Sequence, residues 1–160
     1  MLILAGLLFW INFALMPAEP EVPVYASFED FQPYLHQTSD TLYVVNFWAT
    51  WCKPCVKELP YFDQLASKYP DQKIKVILVS LDFSENLKEQ VLPFLEKIQI
   101  QSQVLILDDP NTTAWIEKVD SSWSGAIPST VFYSKDFREF HEGDFTEETL
   151  HQTVNKLLKP

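Results

Sequence analysis

Three runs of this chain are apolar on consecutive residues rather than on alternate ones: TLYVVNFW at 41–48, KIKVILVSL at 73–81 and VLILD at 104–108. A strand with one wet face alternates apolar and polar side chains. A strand that is apolar throughout has both faces covered, as in a parallel sheet between helices. The segments between these runs carry the matching helix signals. Ser27 precedes FEDFQPYL and is placed to cap a short helix that Pro33 limits. Val56, Leu59, Phe62 and Leu65 recur at helical spacing within 52–69, where Pro60 is expected to introduce a kink. Ser84 is placed to cap a helix running to Lys97 and interrupted at Pro93, and 111–119 reads as a short helix. STVFY (129–133) and FREFHEG (137–143) form a hairpin about the turn SKD. Thr146 caps a last helix whose first turn holds Glu147 and Glu148 and whose end holds Lys156 and Lys159, in accord with the helix dipole. The predicted order is α-β-α-β-α-β-α-β-β-α. It describes an α/β fold with one mixed sheet, helices on both faces and an antiparallel closing hairpin.

The N-terminus is of another kind. Leu2 to Met16 is apolar except for Gly6 and Asn12 and shows no amphipathic period. As a helix it would be about 22 Å long, against a hydrocarbon core of ~30 Å. It reads as an export signal or short membrane anchor, although a basic leader and a small-residue cleavage site are both lacking. PAEPEVP then reads as a polar, Pro-stiffened linker. The expected division is 1–23 for signal or anchor plus linker and 24–160 for the folded domain. Residues 1–52 contain no Lys or Arg, which agrees weakly with translocation of the folded domain. The net charge of -10, without a basic stripe, excludes a nucleic-acid partner.

The only two cysteines stand in WCKPC, 51–55. Structural zinc requires four ligands, and His36, His141 and His151 do not supply a paired set. A staple closing so short a loop confers little loop-entropy stabilisation. Redox exchange is the reading with local support. A strand ending near Trp48 and a helix beginning near Cys52 set that thiol at a helix N-terminus, where free N–H groups and the dipole favour thiolate. Lys53 adds a neighbouring positive charge, and Pro54 suits the first helical turn. Cys52 is therefore the expected nucleophile and Cys55, one turn in, the resolving thiol. Trp51 is expected either to flank the site as an apolar contact surface or to pack in the core. The dithiol carries the electrons itself, so neither a cofactor nor a metal is expected. Two readings of another class stay open: Cu(I) binding by the two thiolates, as in a metallochaperone, and a redox-inert binding scaffold.

NFWATWCKPCVKELP resembles the active-site signature of the thioredoxin superfamily, and more narrowly that of the TlpA/ResA-like membrane-tethered or periplasmic thioredoxins of bacteria. The likeness runs from about residue 25 to the end. WSGAIPSTVFY resembles the second landmark of that fold, which implies a cis-proline at Pro128 and an Ile127 backbone offered to an extended substrate segment. The long separation of Cys55 from Pro128 implies the central βα insert of TlpA-like proteins, at roughly 83–110. Where thioredoxin carries a buried Asp this chain has Asn46, which cannot take a proton. Glu58, three residues after Cys55, is the expected replacement, with a raised pKa and a role in moving the Cys55 proton. The alternative is a solvated helix glutamate. The resemblance further implies a reductase acting on protein disulfides in the cell envelope, with a membrane electron donor upstream and contact between the N-terminal segment and the membrane. A thiol oxidase or isomerase is the alternative direction on the same fold.

Overall fold

A computed structural model describes residues 22–159. The expected anchor and most of the linker lie outside the described residues. The three apolar runs are strands: β2 (Leu42–Trp48), β3 (Ile74–Ser80) and β4 (Gln103–Leu107). The hairpin is β5 (Ser129–Tyr133) and β6 (Arg138–Glu142). A two-residue strand that the sequence reading does not contain, β1 (Val24–Tyr25), pairs parallel with β4. The sheet order is β1-β4-β3-β2-β5-β6, parallel except where β5 runs antiparallel to β2 and to β6.

The helices are α1 (Phe28–Phe31), α2 (Lys53–Asp63), α3 (Leu65–Lys68), α4 (Leu92–Ile98), α5 (Thr112–Val119) and α6 (Glu147–Leu157). Ser27 caps α1 by accepting the Asp30 N–H, and Pro33 begins the adjoining tighter turn Gln32–Leu35. Thr146 caps α6 through the Thr149 N–H, and Thr149 returns the bond to the Thr146 N–H. Two helix expectations need correction. Ser84 does not cap: its N–H is donated to Asp108, and the chain runs through a 3-10 turn (Ser84–Asn86) and a π turn (Leu87–Val91) before α4. Pro93 lies in the first turn of α4, directly after the π turn that closes with the Leu92 N–H donated to the Leu87 carbonyl, rather than midway along a helix. Pro60 lies inside α2, and the break falls four residues later at Gln64.

The sheet separates two cores. Leu42, Val44 and Trp48 of β2 pack with Leu59 and Phe62 of α2, Leu150 and Val154 of α6, and half-buried Phe94 and Leu95 of α4. Val45 and Phe47 face the other way, toward Phe28, Phe31, Trp115 and Trp123. Helices thus cover both faces, as the unbroken apolar runs demand. The period of two along β2 places Asn46 in the series that faces α2. The inserted segment delivers β4 between β1 and β3. The loops that leave β2 and β3 and the loop that enters β5 meet at one end of the sheet, and the cysteines lie there.

Candidate active site

Strand β2 ends at Trp48, and a tight turn closes through the Cys52 N–H donated to the Ala49 carbonyl at 3.1 Å. Cys52 is the N-cap of α2, with extended backbone, and its Sγ accepts the Cys55 N–H at 3.4 Å. The sulfur thus occupies the place where a Ser or Asp cap would put oxygen, against free N–H groups and the positive end of the dipole. Lys53 and Pro54 fill the first turn and are exposed. The Pro54 N–H is absent where no bond would be made. Cys52 and Cys55 are joined by a disulfide with Cα atoms 5.3 Å apart. Their exposures differ in kind: Cys52 retains 6% and Cys55 none. Trp51 is 67% exposed, so it is a surface and not a core residue.

The loop entering β5 comes to the same point. The Ile127–Pro128 peptide is cis, and the Ile127 carbonyl oxygen lies 3.7 Å from Cys52 Sγ. The structure thus brings together Trp51, Cys52, Lys53, Pro54, Cys55 and the Ile127–Pro128 pair.

Glu58 is buried, at 1% exposure, on the inward face of α2 that it shares with Cys55. Its Oε1 accepts from Asn46 Nδ2 at 2.9 Å, and its Oε2 accepts the Phe145 N–H at 2.6 Å. Asn46 Nδ2 also donates to Thr130 Oγ1 at 3.1 Å, across the register that pairs Asn46 with Thr130. Burial pushes the Glu58 carboxyl up to about 7, against the Phe145 and Asn46 donors, which lower it, and with help from the nearby Asp144 charge. A solvated helix glutamate is thereby ruled out. A buried acid that ionises near neutrality can take or return a proton at little cost.

A second buried carboxylate was not legible in the sequence. Asp82, 1% exposed, lies just past β3 and ties it to the loop before the cysteines. Its Oδ2 accepts the Thr50 N–H at 2.9 Å and the Ser80 hydroxyl at 2.7 Å, and its Oδ1 accepts the Thr50 hydroxyl at 2.6 Å. The sequence signal was only an acid just beyond an apolar run, the usual appearance of a solvated strand end.

The AhpC/TSA family profile matches residues 27–138, which include both cysteines, Glu58 and Pro128. The chain belongs to the AhpC/TSA family. Thiol-disulfide oxidoreductase ResA of Bacillus cereus is 31% identical over 116 residues, 71% of this chain and 61% of that relative. The chain therefore spans less than two thirds of that relative's length. A thioredoxin-related protein of Neisseria meningitidis serogroup B superposes with a TM-score of 0.60 at 24% identity, over 74% of this chain and 85% of its own. A secreted Mycobacterium tuberculosis disulfide oxidoreductase homologous to Escherichia coli DsbE gives a TM-score of 0.56 at 20% identity, over 74% of this chain and 83% of its own. At these identities the two structures show the shared fold. Together with the AhpC/TSA match they agree with the resemblance carried by WCKPC and IPSTVFY.

Proposed function

We propose that this protein is a thiol-disulfide oxidoreductase that reduces disulfides of other proteins. The observation that carries this is the asymmetry of the cysteine pair: Cys52 caps α2 at the rim beside Ile127, and Cys55 is sealed one turn inside. In the reduced protein the Cys52 thiolate attacks one sulfur of a substrate disulfide. A mixed disulfide forms on Cys52, and the first substrate thiol leaves. The Cys55 thiol then gives its proton to the Glu58 carboxylate and attacks Cys52 Sγ. The second substrate thiol leaves, Cys52 and Cys55 become the disulfide, and two electrons have passed to the substrate. Trp51, Lys53, Pro54, Ile127 and Pro128 form the surface on which the substrate segment lies, with the Ile127 backbone available for strand-like pairing.

The reading places the domain, 24–160, in the bacterial cell envelope on the extracytoplasmic side, held or exported by residues 1–23, with a membrane electron donor restoring the dithiol. The apolar Leu2–Met16 segment and the secreted nature of the M. tuberculosis relative support it. Among the described residues no helix is long and apolar enough to cross a membrane. The direct test is Cys55→Ser, which removes the resolving thiol. A mixed disulfide on Cys52 is expected to persist with envelope proteins identifiable by mass spectrometry, and the reduced wild-type chain is expected to reduce insulin. No trapped species together with no insulin reduction would sink the exchange mechanism. A potential above about -150 mV, near the oxidant end of the known range, would reverse the direction.

A further inference from the structure

Among the described residues, the large hydrophobic side chains left exposed are Val24, Trp51 and Phe83. Every other described phenylalanine is buried or half-buried, whereas Phe83 is 64% exposed. Its backbone is nonetheless held by bonds at and around it. The preceding residue, Asp82, is locked to Thr50 by two hydrogen bonds. The Phe83 carbonyl accepts the Asn86 N–H at 2.9 Å, and the next N–H, that of Ser84, is donated to Asp108 Oδ2 at 2.9 Å. An exposed aromatic on so well-bonded a stretch of backbone is a built surface feature rather than loop slack.

Its place in the fold relates it to the cysteines. The Asp82–Thr50 clamp joins the tips of adjacent strands β3 and β2, and an exposed aromatic stands one residue past the clamp on each side: Phe83 after Asp82, Trp51 after Thr50. Cys52 is next. Beyond it, on the far side of β2, stands β5 with Ile127 and Pro128 at its entry. The row across this end of the sheet is therefore Phe83, Trp51–Cys52, Ile127. Neighbouring strands are about 4.8 Å apart and an extended chain advances about 3.3 Å per residue, so on strand spacing roughly two residues of a substrate lead from the tip of β2 to the tip of β3.

We propose that Phe83 and Trp51 form an aromatic rim that receives an apolar side chain about two residues from the substrate cysteine that Cys52 attacks. The occupant is an extended segment of a protein substrate, because exchange itself requires the substrate sulfur to sit on Cys52 and its flanking residues to cover this rim. Two aromatics, each with only two side-chain torsions to fix, offer contact area at low entropic cost and exclude water from an apolar partner, and they give an acidic flank nothing to pair with. The rim thus selects among disulfides by their neighbours, and it rests on the dithiol-exchange reading.

The test uses the full chain, reduced and freed of reductant, in single turnover against three probes. Two are peptide disulfides that differ only in Leu or Glu two residues from the cysteine, and the third is glutathione disulfide. The wild type is expected to reduce the leucine peptide roughly tenfold faster than the glutamate peptide, the scale of one interface anchor. Phe83→Ser is expected to abolish most of that preference while leaving glutathione disulfide within about twofold, and Phe83→Tyr to retain it. Equal rates for the two peptides in the wild type, an unchanged preference in Phe83→Ser, or equal slowing on all three probes would each overturn the rim. A self-association change in Phe83→Ser with peptide preference intact would assign the face to a second copy and likewise overturn it. A wild type that reduces none of the probes would remove the exchange reading, and the rim with it.

Discussion

Replacing Glu58 by glutamine measures what it costs this fold to hold an acid under α2. Burial raises the Glu58 carboxyl from 4.5 to about 7. Between those values the folded state keeps a proton that the unfolded chain has lost, so stability falls as the pH rises through this window. Below it both states are protonated, and above it the whole cost is present. At about 1.4 kcal/mol per pH unit, the cost comes to about 3 kcal/mol. The measurement is urea unfolding of the oxidised protein followed by circular dichroism from pH 5 to 8. In that form the cysteines do not titrate, which removes the thiols from the balance. His36 and His141, both lowered by burial, act with the opposite sign, adding stability as the pH rises through their range. They contribute equally to wild type and variant and cancel in the difference. Glutamine loses part of the bonding to Asn46 or to the Phe145 N–H, and that loss is a constant offset with pH. The expected difference curve therefore rises in favour of Glu58→Gln by about 2.5 kcal/mol between pH 5 and 8, the first part of the cost having set in below pH 5. A curve flat to within about 0.5 kcal/mol, the scale of an ordinary surface change, would refute the buried, proton-holding Glu58.

Asp82→Asn puts an amide N–H2 where the Thr50 and Ser80 donors point, and it is expected to cost about 2 kcal/mol in urea unfolding. Thr50→Val, which removes only the hydroxyl bond, should cost less; a reversed order would argue against the clamp. Thr146→Ala deletes the side-chain half of the α6 capping box that holds the Thr149 N–H, and is expected to cost about 1 kcal/mol without changing exchange rates on insulin.

The parallel core was legible because a strand buried on both faces has a signature that survives without context. The place of Cys52 was legible for a similar reason: a cysteine between a strand end and a helix start falls at that helix's N-terminus. Strand β1 was not, since two residues, Val24 and Tyr25, carry no period, and their strand character comes from pairing with Ile106 and Leu107 far along the chain. Pro93 was misread because proline breaks a helix interior and opens a helix start, and only the π turn before it shows where the start falls. Glu58 was half legible. Its spacing from Cys55 gives the shared helix face, but its burial depends on Asn46 of β2 and on the loop at Phe145, elements that meet only in the folded sheet.

The two buried carboxylates beside the dithiol divide the work by what surrounds them. Asp82 accepts three hydrogen bonds, from two residues of the tips it joins, so any change at its oxygens disturbs the loop that carries Cys52. That fits Asp82 to anchor the loop. Glu58 accepts one bond on each oxygen, from an amide and a backbone N–H, and burial outweighs both. Protonation there leaves the loop that carries Cys52 untouched. Asn46 completes the division: an Asp at this point would set a second carboxylate 2.9 Å from Glu58 Oε1, and two like charges so close cannot both ionise. The amide keeps the strand from competing for a proton, so the acid on this face is Glu58, one helical turn past Cys55.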